Sequence, residues 1–237
     1  MYNEDCLQAL LDTWWESDEN EEYKRGRLIR AFIPHVDQIP YSLIPTGREK
    51  PTEHNAATVR LVPLNPVKAN KLPKLPVAAI PQYSGEIRAV YRAKKRPAVI
   101  LCSGGAKTDR SLTLNKAKWQ TNRTVIVAPY YGADEGKEKR SGFSPVFIDR
   151  IKRCEYPQYM WDKLPLDGST ESVLRLDHMQ PVGRSRESIE LTPFCLSSKA
   201  LMLLDEWTDW LIKGKLVFGK DSEDLRLGDI RKLLLEL

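Results

Sequence analysis

Six short segments between residues 86 and 194 constrain the fold of this chain more than any other feature. Each is rich in valine, isoleucine, leucine or aromatic residues, which favour strands, and turn residues such as Gly104-Gly105 and Gly132 separate them. They are EIRAVY (86–91), RPAVILC (96–102), TVIVAPYY (124–131), PVFIDRI (145–151), ESVLRLD (171–177) and SIELTPF (188–194). Several short strands within about 110 residues predict a mainly β fold, a small closed or half-closed barrel and not a parallel α/β sheet.

The flanking regions have a different character. Residues 3–17 place leucines and tryptophans at helical spacing behind Asn3, a candidate N-cap, and so predict an N-terminal helix. Residues 33–83 are rich in proline, which predicts an extended arm or short edge strands, with one plausible strand at 57–64.

The C-terminal region reads as helical. Residues 196–214 carry one apolar face, Ser197 or Ser198 as a cap and Gly214 as a stop. A second amphipathic segment spans 224–237. The chain therefore divides into an N-terminal extension (1–83), a barrel domain (84–214) and a C-terminal tail (215–237).

Composition excludes several classes of protein. A hydrophobic fraction of 41% suits a soluble globular chain, and the net charge of +5 favours acidic partners such as nucleic acid without demanding them. The chain has no apolar run of about 18 residues and its first residues lack a secretory signal pattern. Its four cysteines are far apart and its three histidines are scattered. These features predict a cytoplasmic protein with no metal, no cofactor and no membrane contact.

Two groups of charged residues are candidates for a functional site. Lys94 and Lys95 precede Arg96 at the start of an apolar segment, where they form either a solvated turn or a cationic rim for phosphates. Arg175 and Asp177 lie two apart, so strand alternation places them on the same face. They form either a surface ion pair or a catalytic pair, and spacing alone does not decide.

The order of these pieces resembles a known family. Gly85-Glu86-Ile87, then RPAVIL, VIVAP and SVLRLD, then a capped helix, are similar in order and spacing to the PemK/MazF toxins over about residues 84–213. The resemblance implies an SH3-like barrel of the PemK/MazF/CcdB type with a C-terminal helix. It also implies a homodimeric growth inhibitor that cleaves single-stranded RNA without a metal and is neutralised by an antitoxin protein.

The resemblance also implies site residues. Arg96 matches the family's Arg-Pro arginine, and Arg175 and Asp177 match an Arg-x-Asp pair with acid and base roles. Tyr131 stands where the family often has threonine, and its hydroxyl can still donate to a phosphate. His178 follows the aspartate where the family tends to have glutamine, and is a candidate acid or base. The loop before Arg96, residues 92–95, is shorter than the family's RNA-covering loop.

One further stretch interleaves basic and aromatic residues. Basic charges can follow an RNA backbone while rings stack on bases, so this stretch is a candidate RNA-binding surface. The alternative is that its rings fill the core or a dimer interface. The residues are Arg150, Lys152, Arg153, Tyr156, Tyr159 and Trp161.

Two functions follow as expectations. The first is an endoribonuclease that uses Asp177 as base and Arg96 and Arg175 as a phosphate clamp, yielding a 2′,3′-cyclic phosphate. The second is a catalytically inactive barrel that binds a protein or nucleic acid. An N-terminal arm that inhibits the barrel is compatible with both.

Overall fold

The structure is a computed structural model that describes residues 5–65, 77–81, 83–105, 108–117, 121, 123–133, 142–166, 171–184, 186–221 and 224–236. The chain divides into two compact units. The main unit comprises residues 1–32 and 95–237, and the second unit comprises residues 33–94. The second unit is thus an insertion within the sequence of the main unit.

Eleven strands are formed within the described residues. They are β1 (Trp15–Ser17), β2 (Arg27–Pro34), β3 (Tyr41–Gly47), β4 (Thr58–Pro63), β5 (Ala89–Val90), β6 (Ala93–Cys102), β7 (Thr124–Gly132), β8 (Tyr159–Lys163), β9 (Glu171–Arg175), β10 (Gln180–Gly183) and β11 (Ile189–Leu196). Eight of them make one sheet in the order β1-β11-β2-β6-β7-β9-β8, with β10 also paired to β7. This curled, half-barrel sheet supports the mainly β prediction.

Four α-helices accompany the strands in the described ranges: α1 (Arg110–Thr113), α2 (Pro145–Lys152), α3 (Ser198–Lys213) and α4 (Leu227–Glu236). The prediction for α3 is confirmed together with its caps. The Ser197 hydroxyl accepts a hydrogen bond from the Ala200 amide, and Gly214 ends the helix with a φ of 66°. The predicted second amphipathic segment is α4.

The main core lies between α3, α4 and the sheet. Trp207 and Leu203 of α3 and Ile230 of α4 belong to one buried cluster with Leu174 of β9 and Tyr130 of β7. Burying side chains of this size stabilises the fold by roughly 1.5–3 kcal/mol each. The two C-terminal helices therefore hold β7 and β9, the strands that end at the candidate site.

Several local predictions differ from the structure. Residues 5–17 do not form a helix: Leu7–Leu10 is a 3-10 turn and Trp15–Ser17 is strand β1, paired with β11. Asn3 lies outside the described residues. Residues 145–151 form helix α2 instead of a strand, because Ser144 caps it and Pro145 occupies its first turn.

The third difference concerns the strand expected to open the barrel. Residues 86–91 contribute only β5, which pairs with β3 outside the main sheet. In the main sheet β6 lies between β7 and β2, so β2, which follows Gly26, takes the place expected for residues 86–91. The short loop predicted at 92–95 is also absent, because β6 begins at Ala93.

The described part of the proline-rich region forms short strands, the second of the two expected alternatives, and not an extended arm. Residues 41–47, 58–63 and 89–90 form a three-stranded sheet with β3 in the centre. Pro45 is accommodated in β3 because the register with β4 shifts between Pro45 and Gly47, so the proline lies at a bulge. The prediction of a strand at 57–64 is confirmed by β4.

None of the helices in the described ranges combines the length and the apolar character needed to cross a membrane.

Candidate active site

Three neighbouring strands of the main sheet bring together the residues that the resemblance singled out. Arg96 lies on β6, Tyr131 near the end of β7 and Arg175 at the end of β9. The strands β6, β7 and β9 are consecutive in the sheet, and Tyr131 is directly paired with Val173. Strand order and pairing register therefore place these three side chains near one another.

A 3-10 turn at Leu176–His178 adds two more side chains. The buried Leu176 anchors the turn, and its amide donates to the Gln158 carbonyl at 3.0 Å. Asp177 therefore leaves the strand at Arg175 and does not continue it, which differs from the predicted alternation. The turn nevertheless folds Asp177 and His178 back towards Arg175. We call Arg96, Tyr131, Arg175, Asp177 and His178 the Arg175 cluster.

Arg175 is the centre of this cluster. Its Nε donates to one carboxylate oxygen of Asp177 at 2.8 Å and its Nη2 donates to the other at 2.6 Å. The same Nη2 lies 2.8 Å from Nε2 of His178. Burial works to lower the pKa of the Arg175 guanidinium, but the hydrogen bond and charge of Asp177 outweigh it and the pKa is raised. Arg175 therefore stays cationic.

The contact with Arg175 fixes the tautomer of His178. Because a guanidinium has donors only, Nε2 of His178 must accept this hydrogen bond. The imidazole is then neutral with its proton on Nδ1, which lies 2.9 Å from the Tyr131 hydroxyl oxygen. His178 therefore donates to Tyr131, and the two rings meet edge to face at 5.6 Å.

Arg96 and Arg175 both approach the Tyr131 ring. The Arg96 guanidinium carbon lies 4.1 Å from the ring centroid and that of Arg175 lies 5.7 Å from it. Stacking on an aromatic ring stabilises a cation without neutralising its charge. Within the described residues no carboxylate forms an ion pair with Arg96, and its buried Nε lacks a hydrogen-bond acceptor. An anion is the ligand this arrangement fits.

The cluster is open to solvent at its carboxylate. The Asp177 side chain is 32% exposed, whereas those of Arg175 and His178 are 18% and 12% exposed. A ligand can therefore reach Asp177 more readily than Arg175 or His178.

Only some of the residues predicted to bind RNA lie beside the Arg175 cluster or on the surface next to it. Tyr159 of β8 faces the cluster, with the Arg175 guanidinium carbon 4.9 Å from its ring centroid. Arg150 lies over the Tyr156 ring at 5.1 Å and forms an ion pair with Glu155. These residues are exposed or part-exposed.

The other predicted RNA-binding residues have structural roles or lie outside the main unit. Trp161 is 4% exposed and packs in the core, as the alternative interpretation expected, and Lys152 lies 4.8 Å over its ring. Lys95 forms an ion pair with Glu190. Arg153 is the C-cap of α2, and Lys94 belongs to the second unit.

Sequence reasoning missed one residue beside the cluster. Phe147 of α2 contacts Tyr159, with ring centroids 5.5 Å apart, although the sequence assigned it to a strand. The Ser144-Pro145 pair, a cap followed by a first-turn proline, was the available signal for a helix there.

In the described part of the chain, no set of three or more His, Cys, Asp and Glu side chains is arranged to hold a metal ion. The chain matches no family model, no curated protein and no solved structure.

Proposed function

We propose that this protein is an endoribonuclease of the PemK/MazF type that cleaves single-stranded RNA through its own 2′-hydroxyl. The observation that carries the proposal is the convergence of two arginines, a carboxylate, an imidazole and a phenol in the Arg175 cluster. These are the groups that metal-free phosphoryl transfer requires: cations for the phosphorane, a base for the 2′-hydroxyl and an acid for the leaving oxygen.

The phosphate would lie between Arg96 and Arg175. Arg96 has no carboxylate among its described partners, and Nη1 of Arg175 is not used in the hydrogen bonds to Asp177 and His178. Charge that develops on the phosphorane oxygens then meets two fixed cations.

Asp177 is the proposed base. In the absence of RNA both of its oxygens accept hydrogen bonds from Arg175, so they are engaged by the guanidinium. A phosphate that draws on Arg175 would relax this ion pair, so that Asp177 accepts the 2′-hydroxyl proton as the 2′-oxygen attacks phosphorus. Substrate binding and activation of the base are thus coupled.

Tyr131 is the proposed acid. The bond from phosphorus to the 5′-oxygen breaks as that oxygen takes the Tyr131 proton. The Nδ1–H of His178 stabilises the resulting phenolate by a hydrogen bond, and the phenolate regains a proton from water while Asp177 releases its proton to water. The products are a 2′,3′-cyclic phosphate and a 5′-hydroxyl. We further propose that the active protein is a cytoplasmic homodimer controlled by an antitoxin protein, as the resemblance implies.

Cleavage of a long single-stranded RNA in EDTA tests the reaction. We expect 2′,3′-cyclic ends, no cleavage of 2′-O-methyl RNA, and losses of about 10²–10⁴-fold in Asp177→Asn and about 10²–10³-fold in Arg175→Ala. Asp209→Asn and Arg186→Ala are matched controls, because both residues form exposed ion pairs outside the Arg175 cluster. Equal activity in all four variants would remove the cluster from the mechanism.

A binding module is the second candidate. The bidentate Arg175–Asp177 ion pair favours it, because such a pair can hold a loop in place without reacting. Expression separates the two functions: the intact protein should arrest growth and Asp177→Asn should not. A wild-type protein that binds RNA and leaves it uncut would support the binding module.

A further inference from the structure

A strip of aromatic rings continues outward from the Arg175 cluster. Tyr159 contacts Phe147 at a centroid distance of 5.5 Å, and Phe147 contacts Tyr156 at 5.1 Å. Arg150 lies over Tyr156 at the far end, 5.1 Å from its ring centroid. We call Tyr159, Phe147, Tyr156 and Arg150 the aromatic strip.

The strip lies at the edge of the core and not within it. Ile148, Ile151 and Trp161 fill the interior of the same hydrophobic cluster, each 6% exposed or less, while the three rings of the strip are part-exposed beside them. The Arg150 side chain is 54% exposed. The strip therefore presents part-exposed rings and a solvated guanidinium to a ligand.

We propose that the aromatic strip is a base-stacking subsite for the RNA nucleotides that flank the scissile phosphate. The inference rests on the proposed function, since it assigns the phosphate to the Arg175 cluster at one end of the strip. Successive bases would stack on Tyr159 and Tyr156, and Arg150 would contact a phosphate further along the strand. Single-stranded RNA fits this surface because its bases can leave their own stack, whereas those of a duplex cannot.

Glu155 limits how strongly Arg150, at the far end of the aromatic strip, can bind an RNA phosphate. Its carboxylate pairs with Arg150 at 2.7 Å and competes with an RNA phosphate for the guanidinium. The subsite therefore binds RNA less tightly than a bare arginine would, and removing the Glu155 charge should strengthen it.

Binding of a fluorescent 2′-O-methyl single-stranded 12-mer tests the proposal, because that RNA cannot be cut. Tyr156→Ala should weaken binding about 5- to 150-fold, the effect of losing one base stack. Arg150→Gln should lower the slope of log affinity against log salt by about 0.7, the value for one phosphate contact to a single strand. Glu155→Gln should tighten binding. Arg186→Gln, on an exposed ion pair elsewhere, is the control.

The outcomes separate this proposal from the proposed function. Weaker binding in Tyr156→Ala and Arg150→Gln supports the subsite even if the wild-type protein cuts no RNA, and in that case only the reaction fails. Three results would overturn the subsite: no binding by the wild-type protein, equal binding by both variants, or equal binding of the same sequence as a duplex. Because the Arg150 side chain is mostly exposed, its variant keeps the test valid if Tyr156→Ala does not fold.

Discussion

At the residue scale, Tyr131 links Arg96 with His178 in the Arg175 cluster. Its ring lies under Arg96 while its hydroxyl accepts a hydrogen bond from His178. The ring and the hydroxyl thus have separable proposed roles, the ring in holding a cation and the hydroxyl in moving a proton. A substitution that removes only the oxygen can distinguish them.

Tyr131→Phe keeps the ring and removes the proposed acid. We expect cleavage of ordinary RNA to fall by about 10²–10⁴-fold. An RNA whose leaving 5′-oxygen is replaced by sulfur should be cut at nearly the wild-type rate, because a thiolate leaves without protonation. The measurement is the ratio of the two rates in the wild-type protein and in the variant.

Tyr83→Phe provides the control, since Tyr83 is exposed and belongs to the second unit. If Tyr131→Phe lost only 2- to 10-fold on both substrates, the hydroxyl would act by positioning His178 through one hydrogen bond. That result would exclude Tyr131 as the acid.

At the element scale, the buried carboxylate of Asp162 connects the N-terminal segment with the sheet. It lies on β8 and accepts hydrogen bonds from the indole nitrogens of Trp14 and Trp15 at 3.2 and 3.3 Å, and from the Tyr130 hydroxyl of β7 at 3.1 Å. Burial raises the pKa of Asp162 to about 6, although these hydrogen bonds oppose the rise. The contribution of β1 to the fold therefore depends on pH.

The sign of this dependence follows from linkage. A carboxyl group whose folded-state pKa is raised from 3.8 to about 6 binds more protons when folded, so its contribution to stability is greatest below about pH 4 and is lost as pH rises towards 6. Relative to Asp162→Asn, the wild-type protein should gain about 2 kcal/mol in free energy of unfolding between pH 7.5 and pH 4.5. Urea unfolding at both pH values measures this gain, and parallel pH profiles would show that Asp162 does not titrate in this range.

Comparison with Asp162→Asn is needed because other carboxylates act in the opposite direction. A hydrogen bond from Lys24 lowers the pKa of Asp18, so stability from that group is lost at low pH. Both proteins share this loss, which therefore cancels in the difference.

The elements also show what the sequence could and could not predict. β7 and α3 were predictable because apolar pattern and end signals agree in each. Residues 5–17 have the spacing of a helix. However, the indole nitrogens of Trp14 and Trp15 donate hydrogen bonds to Asp162, which is almost 150 residues away in the sequence. No local pattern reveals a partner at that distance. Likewise, a proline such as Pro45 disfavours a strand in the sequence, and the bulge that accommodates it in β3 is visible only in the structure.

The candidate site, too, could be predicted from the sequence only in part. Arg96, Arg175 and Asp177 were singled out as candidates because the resemblance supplied their motif. The hydrogen bond between Tyr131 and His178 and the contact between Arg175 and Tyr159 depend on which strands are neighbours. Strand order is a long-range property, and the sequence had assigned the opening strand to residues 86–91 instead of β2.

At the scale of the whole molecule, the second unit is inserted between two adjacent strands of the main sheet. β2 and β6 are neighbours in that sheet, and the His35 amide donates to the Arg92 carbonyl at 2.8 Å. The two ends of the insertion therefore lie side by side. Deleting residues 1–80, by contrast, would remove β1 and β2 from the main sheet.

Excision of residues 36–91, with an Asn-Gly turn joining His35 to Arg92, should leave a folded main unit, because this turn type suits a two-residue hairpin connection. All six tryptophans lie outside the excised segment, so their fluorescence reports the main unit. We expect a cooperative urea transition and continued RNA cleavage, since every member of the Arg175 cluster is retained.

A non-cooperative transition would show that the main unit needs the insertion to fold. A folded but inactive protein would place part of the RNA site within the insertion, and a more active one would identify the insertion as an inhibitor of its own barrel.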